Sequence, residues 1–213
     1  YRFIRWFHNK SQAVLVTTQS MVDELTTNGI TAPLVVWSRG VDFNLFNPSW
    51  RTEDHNNRRR LLYVGRLSVE KNIDAFLQHT IPNTETIVVG DGPERDRLER
   101  EYPTVMFAGV QKGTELAVSY ANADVVVFPS KTDTFGIVML ESMACGTPVA
   151  AYHVTGPKDV IVNGTNGHTS DELSRAIVRA MTVDRQICYE HTSNTYSWER
   201  CADIFERMVS TIE

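Results

Sequence analysis

The sequence predicts an α/β fold built on a doubly wound parallel sheet, and three observations predict it. Five short apolar runs, at 61–64, 86–89, 105–107, 124–128 and 148–152, are continuous, as in strands buried on both faces. Helical stretches at 73–79, 94–101, 115–121 and 135–144 fall between them, which is the alternation of a parallel sheet with crossover helices. With 213 residues and 42% apolar content, the chain is long enough to bury one sizeable core.

The elements follow in order. Residues 13–18 form a short apolar run of the buried-strand type. A helix is expected over 20–28, with Ser20 as its cap, Asp23 and Glu24 early, and a stop at Asn28-Gly29. Residues 33–38 read as a second strand leading into Arg39-Gly40-Val41-Asp42, and 47–57 as a polar connecting loop. The regular half begins at 61–64. Right-handed crossovers gather the loops after its strands at one sheet edge, where ligands bind. Those loops carry Arg66, Asp91-Gly92, Gly109-Val110 and Asp133. A last helix is expected over 198–212, with Cys201, Ile204, Phe205 and Val209 on one stripe.

Composition excludes several classes. A net charge of −5 argues against a dedicated nucleic-acid binder, and Arg58-Arg59-Arg60 reads as a flank of the next strand. No apolar run approaches the ~18 residues of a membrane span, and no signal peptide is expected. Three cysteines without a CxxC pair fit a reducing compartment, so the expected location is cytoplasmic. The six histidines show no ligand spacing, and no metal or other cofactor is expected. The chain begins at Tyr1, so its natural start is expected upstream.

The most informative segment is 128–150, FPSKTDTFGIVMLESMACGTPVA. It ends a strand, places an acid at Asp133, opens a helix through Thr134-Phe135-Gly136, and adds a second acid at Glu141. Seven residues separate the two acids. In a helix that spacing is roughly 12 Å of rise and about 80° of rotation, so even with a helix that starts a few residues late both carboxylates are expected at one mouth. Such a mouth offers free N–H groups and a positive dipole end to an anion, with carboxylates to grip hydroxyls. A nucleoside diphosphate-sugar is anionic in the middle and rich in hydroxyls at both ends.

Gly65-Arg66-Leu67-Ser68-Val69-Glu70-Lys71-Asn72 follows the strand at 61–64. Alone, Arg66 and Lys71 read more readily as solvated surface charges. With the acidic mouth on the same edge, they read as groups that neutralise a diphosphate and stabilise its departure. Gly90-Asp91-Gly92-Pro93-Glu94-Arg95 begins like a dinucleotide fingerprint, but Arg95 stands where the third glycine belongs, so a tight turn before a helix is expected, with a minor pocket role. Cys145 has no cation or histidine at a meaningful spacing and is expected to be buried and inert. Residues 154–159 read equally as a pocket wall, a lid or a simple loop.

Together, RGVDFNLFNP, VGRLSVEKN, VVGDGPERDRL, FAGV, YANADVVVFPS, TDTFGIVMLESMACGTPVAAY, GPKDVI and YSWER resemble the carboxy-terminal half of retaining glycosyltransferases of the GT-B fold, group 1 family. The likeness is to bacterial mannosyltransferases and sugar transferases of lipopolysaccharide and glycolipid. It implies two Rossmann-like domains facing across a cleft, the carboxy-terminal one for the nucleotide-sugar donor and the amino-terminal one for a glycan or lipid-linked acceptor. GDP-mannose is the first donor implied and a UDP-sugar the second. It implies residues 1–40 as the end of the acceptor domain and the crossover, with Gly40 near it, 41–195 as the donor domain, and 196–213 as a helix returning to the first domain.

The family's site residues carry over by position. Arg66 and Lys71 match its diphosphate ligands, with Gly65 in the same loop. Asp133 and Glu141 match its Glu-x7-Glu motif, the first approaching the transferred sugar and the second the ribose. Asp133 is a departure, one methylene shorter than the usual glutamate. Thr134, Phe135, Gly136 and Ile137 match the segment meeting the phosphates and sugar, and Gly109 and Val110 the segment beside the base.

The resemblance also implies that most of the acceptor half lies outside this chain, as in a fragment, a domain expressed alone or a split protein. Alone, such a chain is expected to be inactive and prone to self-association. The complete enzyme is expected at the inner face of a membrane where its acceptor is a lipid. Two other classes stay open: a nucleotide-sugar 2-epimerase of the same architecture, and a binding module that catalyses nothing.

Overall fold

The computed structural model of the chain describes residues 1–52, 58–79 and 81–212. Its first unit is small. Helix α1 (Arg2–His8) precedes β1 (Val14–Val16), and α2 (Gln19–Thr27) connects β1 to its parallel partner β2 (Leu34–Val36). Val14, Val16, Ile30 and Ala32 form its core. Thr18, not Ser20, caps α2: its backbone is extended and its hydroxyl accepts from the Met21 amide at 3.3 Å. Ser20 instead donates its amide and hydroxyl to Asp159, at 3.0 and 2.8 Å.

The second unit is a six-stranded parallel sheet, the Rossmann-like architecture expected. Its strands are β3 (Arg59–Val64), β4 (Thr84–Val89), β5 (Met106–Gly109), β6 (Val125–Phe128), β7 (Val149–Tyr152) and β8 (Gly167–Ser170), in the order β5-β4-β3-β6-β7-β8. The helices are α3 (Asp74–Leu77), α4 (Arg95–Glu101), α5 (Gly113–Asn122), α6 (Ile137–Ala144), α7 (Pro157–Val160), α8 (Leu173–Ala180), α9 (Arg185–Thr195) and α10 (Trp198–Ile212).

Successive residues of the central strands feed opposite faces, which is why these runs are apolar throughout. Leu62 and Val126 join Tyr120, Met139 and Leu140 in one cluster; Leu61, Val125 and Val127 join Phe76, Leu98 and Ile177 in the other. Arg59 and Arg60, which open β3, are structural, as expected. Asp124 accepts from Arg59 at 3.2 Å, from Arg51 at 3.4 Å and from the Arg60 amide at 2.8 Å, while Arg60 pairs with Glu85.

Three elements of this unit go beyond the sequence reading. Strand β8 contains no apolar residue and is held by its backbone register with β7. Helix α8 buries Leu173, Ala176, Ile177 and Ala180, an i, i+3, i+4, i+7 pattern. Helix α9 is capped by Asp184, which accepts from the Gln186 and Ile187 amides.

The chain crosses between the two units twice, side by side. Val41 bridges Ser197, and its amide donates to the Tyr196 carbonyl at 2.9 Å. The Trp37 indole donates to the Cys201 carbonyl at 2.9 Å and packs on Phe205, their rings 5.7 Å apart. The expected stripe on α10 is covered only in part: Cys201 is buried, while Phe205 and Val209 remain exposed. Beside it a groove of about 480 Å³ runs between Pro33 and Val35 on one side and Ile204 and Met208 on the other.

Candidate active site

The sheet reverses its winding between β3 and β6. From β3 the order runs outward to β4 and β5; from β6 it runs the other way to β7 and β8. β3 pairs with β4 over six residues but with β6 over only two, Leu61↔Val125 and Leu62↔Val126. Chains leaving the two strands in opposite directions open a crevice at their carboxyl ends. There lies a cavity of about 470 Å³. Tyr63, Gly65, Arg66, Glu70 and Lys71 line it from the β3 side, and Ser130, Asp133, Gly136 and Ile137 from the β6 side.

Lys71 and Asp133 meet in this cavity, with Nζ 2.7 Å from Oδ1 and 2.9 Å from Oδ2. Arg66 is exposed and has no ion pair among the described residues. The amino terminus of α6 opens onto the cavity through Gly136, Ile137 and Val138, and no side chain caps it. Two cations and free amides therefore converge where an anion would sit. Residues 154–159 line neither this cavity nor its neighbour; they pack behind Asp133, where a Cβ at Gly156 would lie 2.3 Å from the Asp133 carbonyl and Asp159 accepts from the Gly156 amide at 3.2 Å.

A second cavity of about 260 Å³ continues along the same edge, sharing Gly65 and Arg66 and adding Gly90, Asp91, Val110 and Gln111. The loops between the cavities are locked together. Gly65 N–H donates to Val89 O at 3.0 Å, and Leu67 N–H to Asp91 O at 2.9 Å. Gly90 packs so closely that a Cβ there would fall 1.8 Å from the Gly65 carbonyl oxygen. The 90–95 segment is thus a tight turn that also lines a pocket.

The expected shared mouth for Asp133 and Glu141 needs correction. Helix α6 starts at Ile137, so Asp133 to Gly136 is not helical and the helical spacing does not relate the two acids. Asp133 lines the cavity, whereas Glu141 does not. Glu141 sits one turn beyond Ile137, half-buried, and accepts from the Tyr120 hydroxyl at 2.9 Å. Of the neighbouring segment, Gly136 and Ile137 line the cavity, Phe135 is buried in the core and Thr134 is exposed without lining it. Gly109 ends β5, and Val110 lines the second cavity.

Tyr63, Ser130 and Glu70 also line the site without having been singled out in the sequence. A Tyr at the carboxyl end of an apolar strand, with a polar tip beyond the core, is the available signal for the first. Its hydroxyl titrates well above the ordinary range because it is buried and faces the Asp133 and Glu70 carboxylates. Cys145 is fully buried, its thiol pushed up to about 12 by burial, which matches an inert core residue. Among the described residues, no group of three or more His, Cys, Asp or Glu side chains is placed to hold a metal ion.

Burial pushes the Glu141 carboxyl above the ordinary carboxylate range, and the Tyr120 hydrogen bond draws it partly back. A carboxyl raised in the fold favours the folded state fully below its unfolded pKa and loses that contribution as pH rises through the folded value. Glu141→Gln is therefore expected to raise the Tm of the free chain near pH 7 and to leave it unchanged near pH 4. Thermal melts at the two pH values check this; no gain near pH 7 would mean that burial does not oppose ionisation here.

Residues 49–182 match the protein family described as glycosyl transferases group 1. The chain belongs to the group 1 glycosyltransferase family. Among its relatives, this glycosyltransferase chain is 33% identical over 175 residues to a GDP-mannose-dependent alpha-mannosyltransferase of Corynebacterium glutamicum, covering 78% of the chain and 42% of that protein. It is 32% identical over 183 residues to a sulfoquinovosyl transferase of Arabidopsis thaliana, covering 79% of the chain and 36% of that protein. The chain thus spans less than half the length of these two relatives.

Solved structures show the same fold. A sucrose-phosphate synthase from Thermosynechococcus elongatus superposes with a TM-score of 0.81 at 24% identity, covering 98% of this chain and 60% of that one. Anabaena HepE in complex with UDP and glucose gives 0.75 at 22% identity, covering 99% and 66%. The six-stranded sheet is that of one half of a GT-B glycosyltransferase.

Proposed function

We propose that this chain is the donor-binding half of a retaining glycosyltransferase. It would transfer a hexose from a nucleoside diphosphate-sugar, GDP-mannose first and a UDP-sugar second, to a glycan or lipid-linked acceptor. The observation that carries this is the convergence, in one crevice at the switch point, of Arg66, the Lys71–Asp133 pair and the uncapped start of α6. Membership of the group 1 family supports it, as do a GDP-mannose-dependent relative and a fold neighbour in complex with UDP and glucose.

In this reading Arg66, Lys71 and the amides at Gly136 and Ile137 hold the diphosphate, and Thr134 and Phe135 shape the turn that presents them. Asp133 faces the transferred sugar through its hydroxyls. Glu141, on the same face of α6 as Ile137, takes the ribose, and Gly109 and Val110 flank the base. The bond from the anomeric carbon to the diphosphate oxygen breaks with its electrons going to the diphosphate, whose charge the two cations and the helix dipole stabilise. The acceptor oxygen bonds to the anomeric carbon from the same face and passes its proton to the departing phosphate. No metal takes part in these steps.

The acceptor belongs to the other half of the enzyme, so this chain alone would bind donor without turning it over. The complete enzyme would work in the cytoplasm, at the inner face of a membrane for a lipid acceptor; no helix of the described residues is long and apolar enough to cross one. Alone, the chain exposes Phe3, Trp6 and Phe7 on α1 and leaves the α10 groove open, so self-association is expected. Size exclusion checks it, and elution as a monomer would refute it.

Calorimetric titration with GDP, UDP, GDP-mannose and UDP-glucose tests the donor site. Selective binding of one nucleotide, lost in Glu141→Ala, is the expected result. Equal binding of all four by both proteins would sink the assignment.

A further inference from the structure

The two cations of the crevice sit on a loop that has little regular structure. Residues 65–72 contain one short 3-10 turn, Val69–Lys71, and no strand partner along their length. Long cationic side chains leaving such a loop meet a phosphate productively only if their backbone origins are fixed, within about 0.5 Å by the standard of functional sites. Backbone bonds from Gly65 to Val89 and from Leu67 to Asp91 hold the first half of the loop, and two side chains add a tether at each end.

At the first end, the Tyr63 hydroxyl donates to the carbonyl oxygen of Arg66 at 2.9 Å. Tyr63 is only 3% exposed, so its ring is held by the core while its tip reaches the loop. Residue 65 is a glycine at this crossing, where a Cβ would lie 2.9 Å from that hydroxyl. At the second end, Asn72 adopts a left-handed backbone with φ 55°. Glycine is the default residue for that conformation. The asparagine uses its side chain instead, donating to the Pro129 carbonyl at 3.0 Å. That ties the residue after Lys71 to the exit of β6, from which the chain runs on to Asp133.

We propose that Tyr63 and Asn72 are positioning residues for the donor diphosphate, Tyr63 setting Arg66 and Asn72 setting Lys71. This rests on the reading of those two cations as diphosphate ligands. Each tether acts on the cation beside it and not on the other, since they grip opposite ends of the loop.

The test is a set of double-mutant cycles read by calorimetry with UDP and GDP. Tyr63→Phe removes one oxygen, and Asn72→Gly keeps the backbone conformation while removing the tether. Each is expected to weaken binding about three- to tenfold, the size of one lost hydrogen bond. Tyr63→Phe should weaken it no further in an Arg66→Ala background, nor Asn72→Gly in a Lys71→Ala background. The crossed pairs should add. Additivity in all four pairings would overturn the inference, because a merely structural loss adds everywhere. So would unchanged affinity in both tether variants while Arg66→Ala and Lys71→Ala weaken it, and the diphosphate reading would then stand. If neither cation variant alters affinity, that reading fails and takes the inference with it.

Discussion

Lys71→Ala is expected to weaken binding of a nucleoside diphosphate by about 10- to 100-fold, matching the roughly 1.5–3 kcal/mol of a hydrogen bond to a charged group. Two effects combine. The ammonium is lost as a ligand, and the Asp133 carboxylate, which now lies 2.7 and 2.9 Å from it, is left facing the diphosphate without a cation. Adding Asp133→Asn to the same chain should therefore recover part of the affinity. In the complete enzyme, turnover should fall about 10²–10³-fold, the scale for removing one group that stabilises developing negative charge. Calorimetry of the chain and steady-state kinetics of the whole enzyme check the two parts. Affinity within twofold of wild type for Lys71→Ala would remove it from the diphosphate site.

Gly90→Ala should damage stability and binding together. The new methyl group would lie 1.8 Å from the Gly65 carbonyl oxygen, and the residue holds φ 138°, which side chains disfavour. Neither clash can be relieved by a rotamer change, because the opposing atom is backbone. The loops after β3 and β4 must part, breaking the Leu67–Asp91 hydrogen bond that spans them. A loss of about 3–5 kcal/mol is expected, in the range of strain and clash at a buried, specially shaped backbone. Urea unfolding measures it, and a midpoint equal to that of wild type would mean that the loops do not pack as described.

Much of this fold is legible in the sequence because the central strands are apolar on both faces. Val125 to Val127 can be nothing but the middle of a covered sheet, and their burial is complete or nearly so. Strand β8, Gly-His-Thr-Ser, carries no such signal, since backbone pairing to β7 and polar contacts of Thr169 with Asn163 and His153 hold it at the sheet edge. Helix α1 is equally silent: apart from Ile4 its residues are aromatic or basic, and none is buried. At the site, Arg66, Lys71 and Asp133 fall together because the order of strands brings their loops to one edge. Glu141 was tied to Asp133 by helical arithmetic, which fails because Gly136 marks where the helix begins. The contacts of Tyr63 and Asn72 are long-range consequences of packing, and no local spacing encodes them.

The paired crossings at Val41 and Ser197 have a mechanical meaning. Two connections lying side by side behave as a door hung on two hinges. Turning about the line through both twists a few backbone bonds, while sliding or tilting stretches one connection against the other. The β1–β2 unit, clasped to α10 through Trp37 and Phe205, meets the large unit at these crossings and again where Ser20 donates to Asp159. A swing about the line of the crossings therefore has to part Ser20 from Asp159, and that pair of hydrogen bonds resists it.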